Sequence, residues 1–313
     1  MTLTPTPLAG AVEATAPAGG RMPRPGAIKR RDRWIGLVAA LPALLVVAGF
    51  MIYPVLFALF ISFTRSNGIT FDWIGLGNYV DVLTDPLVGQ VFITNLKFLI
   101  SVPLVIFAAM VISVLLFERI RGWKTFRILF FVPNVLSAAV IGIMFKSVFG
   151  FNGPINSAVE ALGGERVDPF VDANLAITII VLALIWSGFG YQALLLLSGL
   201  SAIDPAVFEA AALDGAGWWK RLWYITLPNI RRVLGFVFII NVLYTFSSLF
   251  GFVFVMTAGG PGYETTTIDY LVFLRAFSTT NLGSGAALAV LLFLFIGLLT
   301  VVQARFFKLS DED

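Results

Sequence analysis

The dominant pattern along the chain is a series of long apolar runs separated by short polar connections. A run of about 20 apolar residues is enough to cross the hydrocarbon of a bilayer, and six runs reach that length. They are Trp34–Phe63, Val91–Phe117, Ile128–Phe149, Leu175–Leu200, Val233–Thr257 and Ala286–Phe307. Pro42 and Pro54 interrupt the first run and predict a kink or tilt there. The pattern therefore predicts an all-α integral membrane protein with six transmembrane helices.

Composition supports this class. The chain is 58% hydrophobic and only 12% charged, whereas soluble domains have about 25% charged residues. There is no cysteine and no histidine, which excludes disulfides, thiol chemistry and the usual catalytic base. The basic residues lie in short blocks beside apolar runs, so the basic isoelectric point does not indicate nucleic-acid binding.

The basic blocks also predict the orientation in the membrane. The N-terminal tail, the second and fourth connections and the C-terminus hold 16 of the 21 Lys and Arg residues. Those segments lie on one side of a six-span arrangement, and basic residues accumulate on the cytoplasmic side. Both termini are therefore predicted to be cytoplasmic. We divide the chain into a disordered tail at 1–33, a transmembrane domain at 34–307 and a C-terminal tail at 308–313.

A polar insert at 201–232 separates the fourth and fifth runs, on the predicted cytoplasmic side. Asp204 and Pro205 favour the start of a helix, because Asp accepts bonds from free N–H groups and Pro suits the first helical position. Strong helix formers follow, until Asp214 and Gly215 break the helix. A second helical stretch is predicted at 218–225.

The same insert carries a spaced motif. Seven residue types stand at fixed offsets: Glu209, Ala210, Ala211, Gly215, Ile225, Leu227 and Pro228. Chance agreement is on the order of 10⁻⁸ per start position, if each type occurs at about 5–10%. The motif resembles the coupling loop of ABC importer permeases, which docks onto the ATP-hydrolysing subunit. The resemblance assigns this contact to Glu209, Ala210, Ala211, Asp214 and Gly215. The alternative is an ordinary amphipathic surface loop.

Two further segments narrow the resemblance. Gly75–Tyr79 and Thr257–Pro261 resemble the carbohydrate-uptake branch of type I, binding-protein-dependent ABC importers, in particular its first permease subunit of the maltose or glycerol-3-phosphate type. The resemblance covers about residues 34–307. It implies the type I importer permease fold and a multi-pass position in the bacterial inner membrane.

The resemblance also implies partners. These are a second, homologous permease subunit, two ATPase subunits and an extracytoplasmic solute-binding protein that delivers a carbohydrate. ATP and Mg²⁺ would bind to the ATPase subunits, so we expect no cofactor in this chain.

Polar residues inside two apolar runs predict a substrate path. In the fifth run, Asn241, Tyr244, Thr245 and Ser248 have offsets of 0, 3, 4 and 7 and so share one helix face. In the fourth run, Gly188 and Tyr191 form a comparable cluster with Ser187 and Gln192. Hydroxyls, amides and aromatic rings suit a sugar. The alternative is helix–helix packing, where small and polar residues are also enriched.

Several kinds of chemistry are missing from the sequence. It contains no P-loop motif, no acidic residue inside any of the six runs, and no catalytic set of side chains. The chain is therefore predicted to be a permease without enzymatic activity of its own. Two alternatives stay open: the same machinery importing glycerol-3-phosphate or a glycerophosphodiester, and a stand-alone channel or secondary transporter.

Overall fold

The computed structural model describes residues 30–119 and 121–307, with side chains from Val38 onward. The predicted tails lie mostly outside these residues, although the first helix already begins at Arg30, within the predicted tail 1–33. The described α-helices are α1 (Arg30–Val47), α2 (Tyr53–Ser62), α3 (Gly77–Thr84), α4 (Pro86–Phe98), α5 (Ser101–Phe117), α6 (Trp123–Val135), α7 (Ala138–Phe149), α8 (Pro154–Ala161), α9 (Ala173–Ser201), α10 (Pro205–Leu213), α11 (Trp218–Arg221), α12 (Leu227–Asn229), α13 (Arg231–Ser247), α14 (Phe250–Met256), α15 (Ile268–Phe273) and α16 (Leu282–Phe306). Single π-helical turns occupy Ala48–Ile52, Leu222–Thr226 and Leu274–Ser278.

Long apolar helices agree with the predicted class. Within the described residues, five helical segments are long and apolar enough to cross a membrane: Val38–Ser62, Pro86–Phe117, Ala138–Ala161, Ala173–Ser201 and Leu282–Phe306. A sixth results if Trp218–Asn229 and Arg231–Ser247, which meet at a bend of 69°, are taken together. The protein is an all-α integral membrane protein.

Three predicted runs are not continuous helices, which corrects the sequence-based bounds. The run Val91–Phe117 is divided at a turn between α4 and α5. The run Ile128–Phe149 is divided between α6 and α7, where the Ser137 hydroxyl accepts a bond from the Val140 N–H and begins a new helix. The run Val233–Thr257 is divided between α13 and α14. Serine side chains offer the backbone an alternative to the helical bond, which favours such ends. Hydropathy alone does not register these breaks.

A small β-hairpin follows the first span. Strand β1 (Thr64–Ser66) pairs antiparallel with β2 (Phe71–Trp73). The Asn67 side chain accepts bonds from the N–H groups of Ile69 and Thr70 and closes the turn. The dipeptide Asn67-Gly68 is a local sequence signal for such a hairpin.

The chain divides into two units, of which the structure describes residues 30–55 in the first and 56–119 and 121–307 in the second. In the first unit the described residues form α1, the π-helical turn and the start of α2. The second unit holds the buried core, in which α9 packs against α5, α6, α7 and α13. α6 and α9 approach so closely that a Cβ added to Gly190 would lie 2.0 Å from the carbonyl oxygen of Phe130. Helix–helix packing in membranes relies on such small residues.

Candidate functional site

A cavity of about 310 Å³ lies between α9 and α13, with further walls from α5, α6, α7 and α14. We refer to it as the α9–α13 cavity. Its polar lining residues are Ser101, Asn134, Ser187, Tyr191, Gln192, Asn241, Tyr244 and Thr245. None of the described lining residues carries a charge. The cavity is therefore a neutral space with hydroxyl, amide and phenol groups set among apolar walls.

Five of the six residues predicted for the substrate path line this cavity. They are Gly188, Tyr191, Asn241, Tyr244 and Thr245. Ser248 does not line it, because α13 ends at Ser247 and Ser248 is the residue that caps this end. Tyr191 and Tyr244 are each 42% exposed, which leaves part of each ring available to a solute.

The polar groups of the cavity differ in whether they have a partner. The Asn241 amide nitrogen donates to the Val237 carbonyl, and the Thr245 hydroxyl donates to the Asn241 carbonyl. By contrast, the amide oxygen of Gln192 is buried and accepts no hydrogen bond in the described structure. A buried acceptor without a partner costs about 1–3 kcal/mol. Gln192 is thus the lining group with most to gain from a solute donor.

Asn95 on α4 ties the neighbouring segments together. Its amide nitrogen donates to the Thr245 carbonyl of α13, at 2.9 Å, and its amide oxygen accepts from the Ile268 N–H of α15, at 2.7 Å. Asn95 is fully buried. One side chain thereby fixes three segments beside the cavity.

Asp269 holds α14, whose Phe252 forms part of the cavity wall. One carboxyl oxygen accepts from the Phe250 N–H at 2.7 Å, and the other accepts from the Tyr270 N–H and the Thr267 hydroxyl. At the other end of α14, the Lys146 amine donates to the Val255 carbonyl. This arrangement suits the helix dipole, which favours acidic groups at the first turn and basic groups at the last.

Sequence reasoning missed Asp269 because it considered acidic residues only inside the six apolar runs. Asp269 lies between the fifth and sixth runs, in α15. A sequence signal was present: Thr267 and Asp269 are residue types that favour a helix start, and they follow a segment rich in threonine and glycine.

The 201–232 loop has the local structure that its sequence predicts at the first helix. α10 begins at Pro205, and the Asp204 side chain accepts from the Ala206 N–H at 2.9 Å. Gly215 has φ +73°, and the Ala216 N–H returns to the Ala211 carbonyl, as in a Schellman helix end. The second stretch differs: α11 is followed by a π-helical turn at Leu222–Thr226 and then by α12.

The residues assigned to coupling are mostly at the surface. Glu209, Ala210, Asp214 and Gly215 are exposed, and Ala211 is buried. Within the described part of the chain, the Glu209 carboxylate makes no ion pair. Two contacts hold the loop against the end of α5. The Trp218 indole N–H donates to Glu118, and the centroids of the Phe117 and Phe208 rings are 5.7 Å apart.

The two segments that narrowed the resemblance have structural contacts. The Asn78 amide, within Gly75–Tyr79, donates to the carbonyls of Ser62 and Thr64 and so fixes α3 against the end of the first span. In Thr257–Pro261, hydroxyls of Thr265 and Thr266 donate to the carbonyls of Gly260 and Gly259. Both segments therefore shape the connections that follow the first and fifth runs.

Comparison with known proteins gives the class. The family model described as the inner membrane component of binding-protein-dependent transport systems matches residues 86–309. The multiple sugar-binding transport system permease protein MsmF of Streptococcus mutans is 31% identical over 283 residues, which cover 88% of this chain and 96% of that protein. The sn-glycerol-3-phosphate transport system permease protein UgpA of Brucella suis is 31% identical over 270 residues, covering 85% of this chain and 92% of that one.

A solved structure agrees on the fold. A chain in the crystal structure of a bacterial ABC transporter involved in the import of the acidic polysaccharide alginate superposes with a TM-score of 0.78 at 17% identity, covering 90% of this chain and 98% of that chain. The chain belongs to the family of inner membrane components of binding-protein-dependent transport systems. It is therefore a multi-pass inner membrane permease subunit of an ABC importer, not the ATPase of that importer.

Proposed function

We propose that this chain forms half of the solute pathway of an ATP-driven importer for a neutral sugar or oligosaccharide. The observation that carries the proposal is the uncharged polar lining of the α9–α13 cavity. The partly exposed rings of Tyr191 and Tyr244 can stack on the apolar face of a sugar, and the amides of Gln192 and Asn241 can bond its hydroxyls. The name of MsmF, a multiple sugar-binding system permease, supports the same substrate class.

The alternative substrate is glycerol-3-phosphate, which the name of UgpA indicates for that relative. A phosphate needs a cationic or hydrogen-bonding partner when it leaves water, because an unpaired buried charge is very costly. The described lining of the α9–α13 cavity contains no Lys or Arg. This favours a neutral solute over a phosphate ester.

The proposal includes the partners that such a pathway requires. A second permease would supply the other half of the pathway, a binding protein would deliver the solute, and two ATPase subunits would bind ATP and Mg²⁺. We assign α10 to ATPase docking, with Glu209, Ala210, Ala211, Asp214 and Gly215 at the contact. The exposure of Glu209, Ala210, Asp214 and Gly215 supports this assignment. It requires the 201–232 loop and both termini to be cytoplasmic, in line with the basic residues on that side.

The test is uptake by the assembled importer in vesicles. Asn241→Leu and Tyr244→Ala should each lower sugar uptake about 3- to 10-fold, the effect of losing one net hydrogen bond or ring contact. The affinity of the binding protein for the sugar should not change. Ser248→Ala is the matched control, since Ser248 shares the predicted helix face but does not line the cavity, and it should transport normally.

Substrate class is tested in the same vesicles. Unlabelled sugars should compete with the uptake of a radiolabelled sugar, and sn-glycerol-3-phosphate should not. Uptake of glycerol-3-phosphate in place of sugars would refute the neutral-solute assignment. Flux that needs neither ATP nor partner subunits would refute the importer itself and indicate a channel or secondary transporter.

A further inference from the structure

A second cavity, of about 650 Å³, lies beneath α10. Its walls come from the end of α5, the start of α6, the end of α9 and the segment from α10 to the π-helical turn at Leu222–Thr226. Three arginines line it, Arg119, Arg127 and Arg221, and we refer to it as the basic cavity. Its volume lies within the range of about 300–1,000 Å³ that is typical of small-molecule sites.

Among the residues that the structure describes, none of the three arginines makes an ion pair. The ion pairs of the described residues are Arg166–Glu160 and Arg275–Asp85, and neither involves this cavity. The cavity also holds two carboxylates, Glu118 and Glu209. Glu118 accepts the indole N–H of Trp218. Three guanidinium groups against two carboxylates leave a net positive site, with planar donors suited to a phosphate.

The remaining lining is largely apolar. It includes Val114, Leu116, Leu197, Leu200, Ile203 and Leu222. Phe117 and Ser201 mark the ends of the candidate spans Pro86–Phe117 and Ala173–Ser201, so the cavity lies at the level where hydrocarbon gives way to headgroups. Trp123 and Trp218 also line it, and tryptophan is enriched at this level.

We propose that the basic cavity binds the headgroup of an anionic phospholipid from the surrounding bilayer. An apolar floor and an arginine rim at the membrane interface match an amphiphile with a phosphate head, and basic pockets between transmembrane helices take such headgroups. An acidic protein segment is the competing occupant, but the lining includes the ends of two candidate membrane spans, which favours a lipid.

The bound phosphate would connect two segments that are distant in sequence. Arg119 and Arg127 belong to the α5–α6 region, whereas Arg221 follows α10. Direct contacts between these regions include the Trp218–Glu118 bond and the Phe117–Phe208 ring pair. A lipid phosphate held by all three arginines would add a further connection and stabilise the loop that we assign to ATPase docking.

The experiment uses the importer complex purified through a tag on this chain. It is placed in nanodiscs of phosphatidylcholine with 0% or about 30% phosphatidylglycerol, a range spanning neutral to strongly anionic surfaces. Native mass spectrometry counts the lipid that stays bound. The triple variant Arg119→Gln, Arg127→Gln, Arg221→Gln should bind phosphatidylglycerol at least about tenfold more weakly than the unaltered complex.

The matched control also removes three positive charges, but from residues outside the basic cavity. Arg121, Lys124 and Arg232 do not line the basic cavity, so replacing all three with Gln should leave one phosphatidylglycerol bound as in the unaltered complex. Phosphatidylglycerol should also raise the thermal unfolding temperature of the unaltered complex, but not of the Arg119/Arg127/Arg221 variant.

Three outcomes would overturn the proposal. Equal retention of phosphatidylglycerol by both triple variants would show that the bound lipid is not in the basic cavity. Stabilisation by millimolar inorganic phosphate in pure phosphatidylcholine would identify a soluble anion as the ligand. Loss of ATPase subunits from the Arg119/Arg127/Arg221 variant with lipid retention unchanged would assign the arginines to a protein contact.

Discussion

The α9–α13 cavity and α10 differ in what fixes their residues. Around the cavity, Asn95 joins three segments through buried hydrogen bonds, and Gly190 lies against the backbone of α6. In α10, Ala211 is the one buried residue. Two residues after α10 ends, an added Cβ on Gly215 would meet nothing within 4 Å. Internal packing therefore explains Asn95 and Gly190, which do not line the cavity but hold the helices around it. The residues of α10 have fewer internal constraints, which supports our proposal that their motif serves a contact outside the chain.

Gly190→Ala tests the cavity side of this comparison with the largest expected effect. The new Cβ would lie 2.0 Å from the Phe130 carbonyl oxygen, and a backbone atom between two packed helices has little room to move. We expect a loss of about 3 kcal/mol, at the upper end of overpacking effects, and a clearly lower unfolding temperature in detergent. Gly188→Ala is the matched control, because its Cβ would lie 3.4 Å from Val105. Equal stability of both variants would contradict the close contact.

Asp269→Ala tests whether α14 depends on a carboxyl group supplied by α15. The variant leaves the N–H groups of Phe250 and Tyr270 without their acceptor, and each unsatisfied buried donor costs about 1–3 kcal/mol. Thermal unfolding should show the loss, with a smaller one for Asp269→Asn, which keeps an acceptor oxygen. Asp81→Ala, at an exposed position, should have little effect. An unchanged unfolding temperature for Asp269→Ala would remove this support from the cavity wall.

Gly215→Val tests the other side of the comparison, the proposed role of the 201–232 loop in ATPase docking. Gly215 has φ +73°, where a side chain costs about 1–2 kcal/mol, but there is open space around it. Stability should fall by about that amount, because of the backbone strain alone, while co-purification of the ATPase subunits and uptake should fall sharply. Gly217→Val is the control, because Gly217 has φ −65° and is equally unobstructed. Normal uptake by Gly215→Val with its ATPase attached would show that α10 is not the coupling element.

Glu209→Ala should have the smallest effect on the protein itself. Its carboxylate is exposed and has no ion-pair partner among the described residues, so unfolding should shift by less than about 0.5 kcal/mol. Loss of a charged hydrogen bond to the ATPase costs about 1.5–3 kcal/mol, which is about a tenfold or greater loss of affinity at this loop. A stability loss without weaker ATPase binding would reverse the comparison.

The sequence predicts best where short-range signals determine the structure. Asp204, Pro205 and Gly215 set the bounds of α10 through local capping and a positive φ, and the structure agrees. The polar face of α13 is likewise predictable from helical spacing, up to the end of that helix. Ser248 lies outside the cavity because α13 ends at Ser247. Hydropathy carries no information on that helix end.

The contacts of Asp269 and Asn95 and the lining of the basic cavity depend on residues that are far apart in the sequence. Asp269 accepts the N–H of a residue 19 positions earlier, and Asn95 bonds to segments 150 and 173 residues away. No local pattern specifies such pairs. The basic cavity likewise depends on the packing of four segments around Arg119, Arg127 and Arg221, which are distant in sequence. Composition showed basic blocks, but it could not show that three arginines share one space.

The most direct test of the proposed solute path is the reactivity of a cysteine at Tyr244. The chain has no native cysteine, so Tyr244→Cys and the control Ser248→Cys can be compared in an importer whose partner subunits also lack cysteine. A small polar thiol reagent should modify Tyr244→Cys at a rate that changes with nucleotide state and falls when transported sugar is present. Ser248→Cys should show no protection by sugar. A Tyr244→Cys rate that is the same in every nucleotide state and unaffected by sugar would contradict the assignment of this cavity to the solute path.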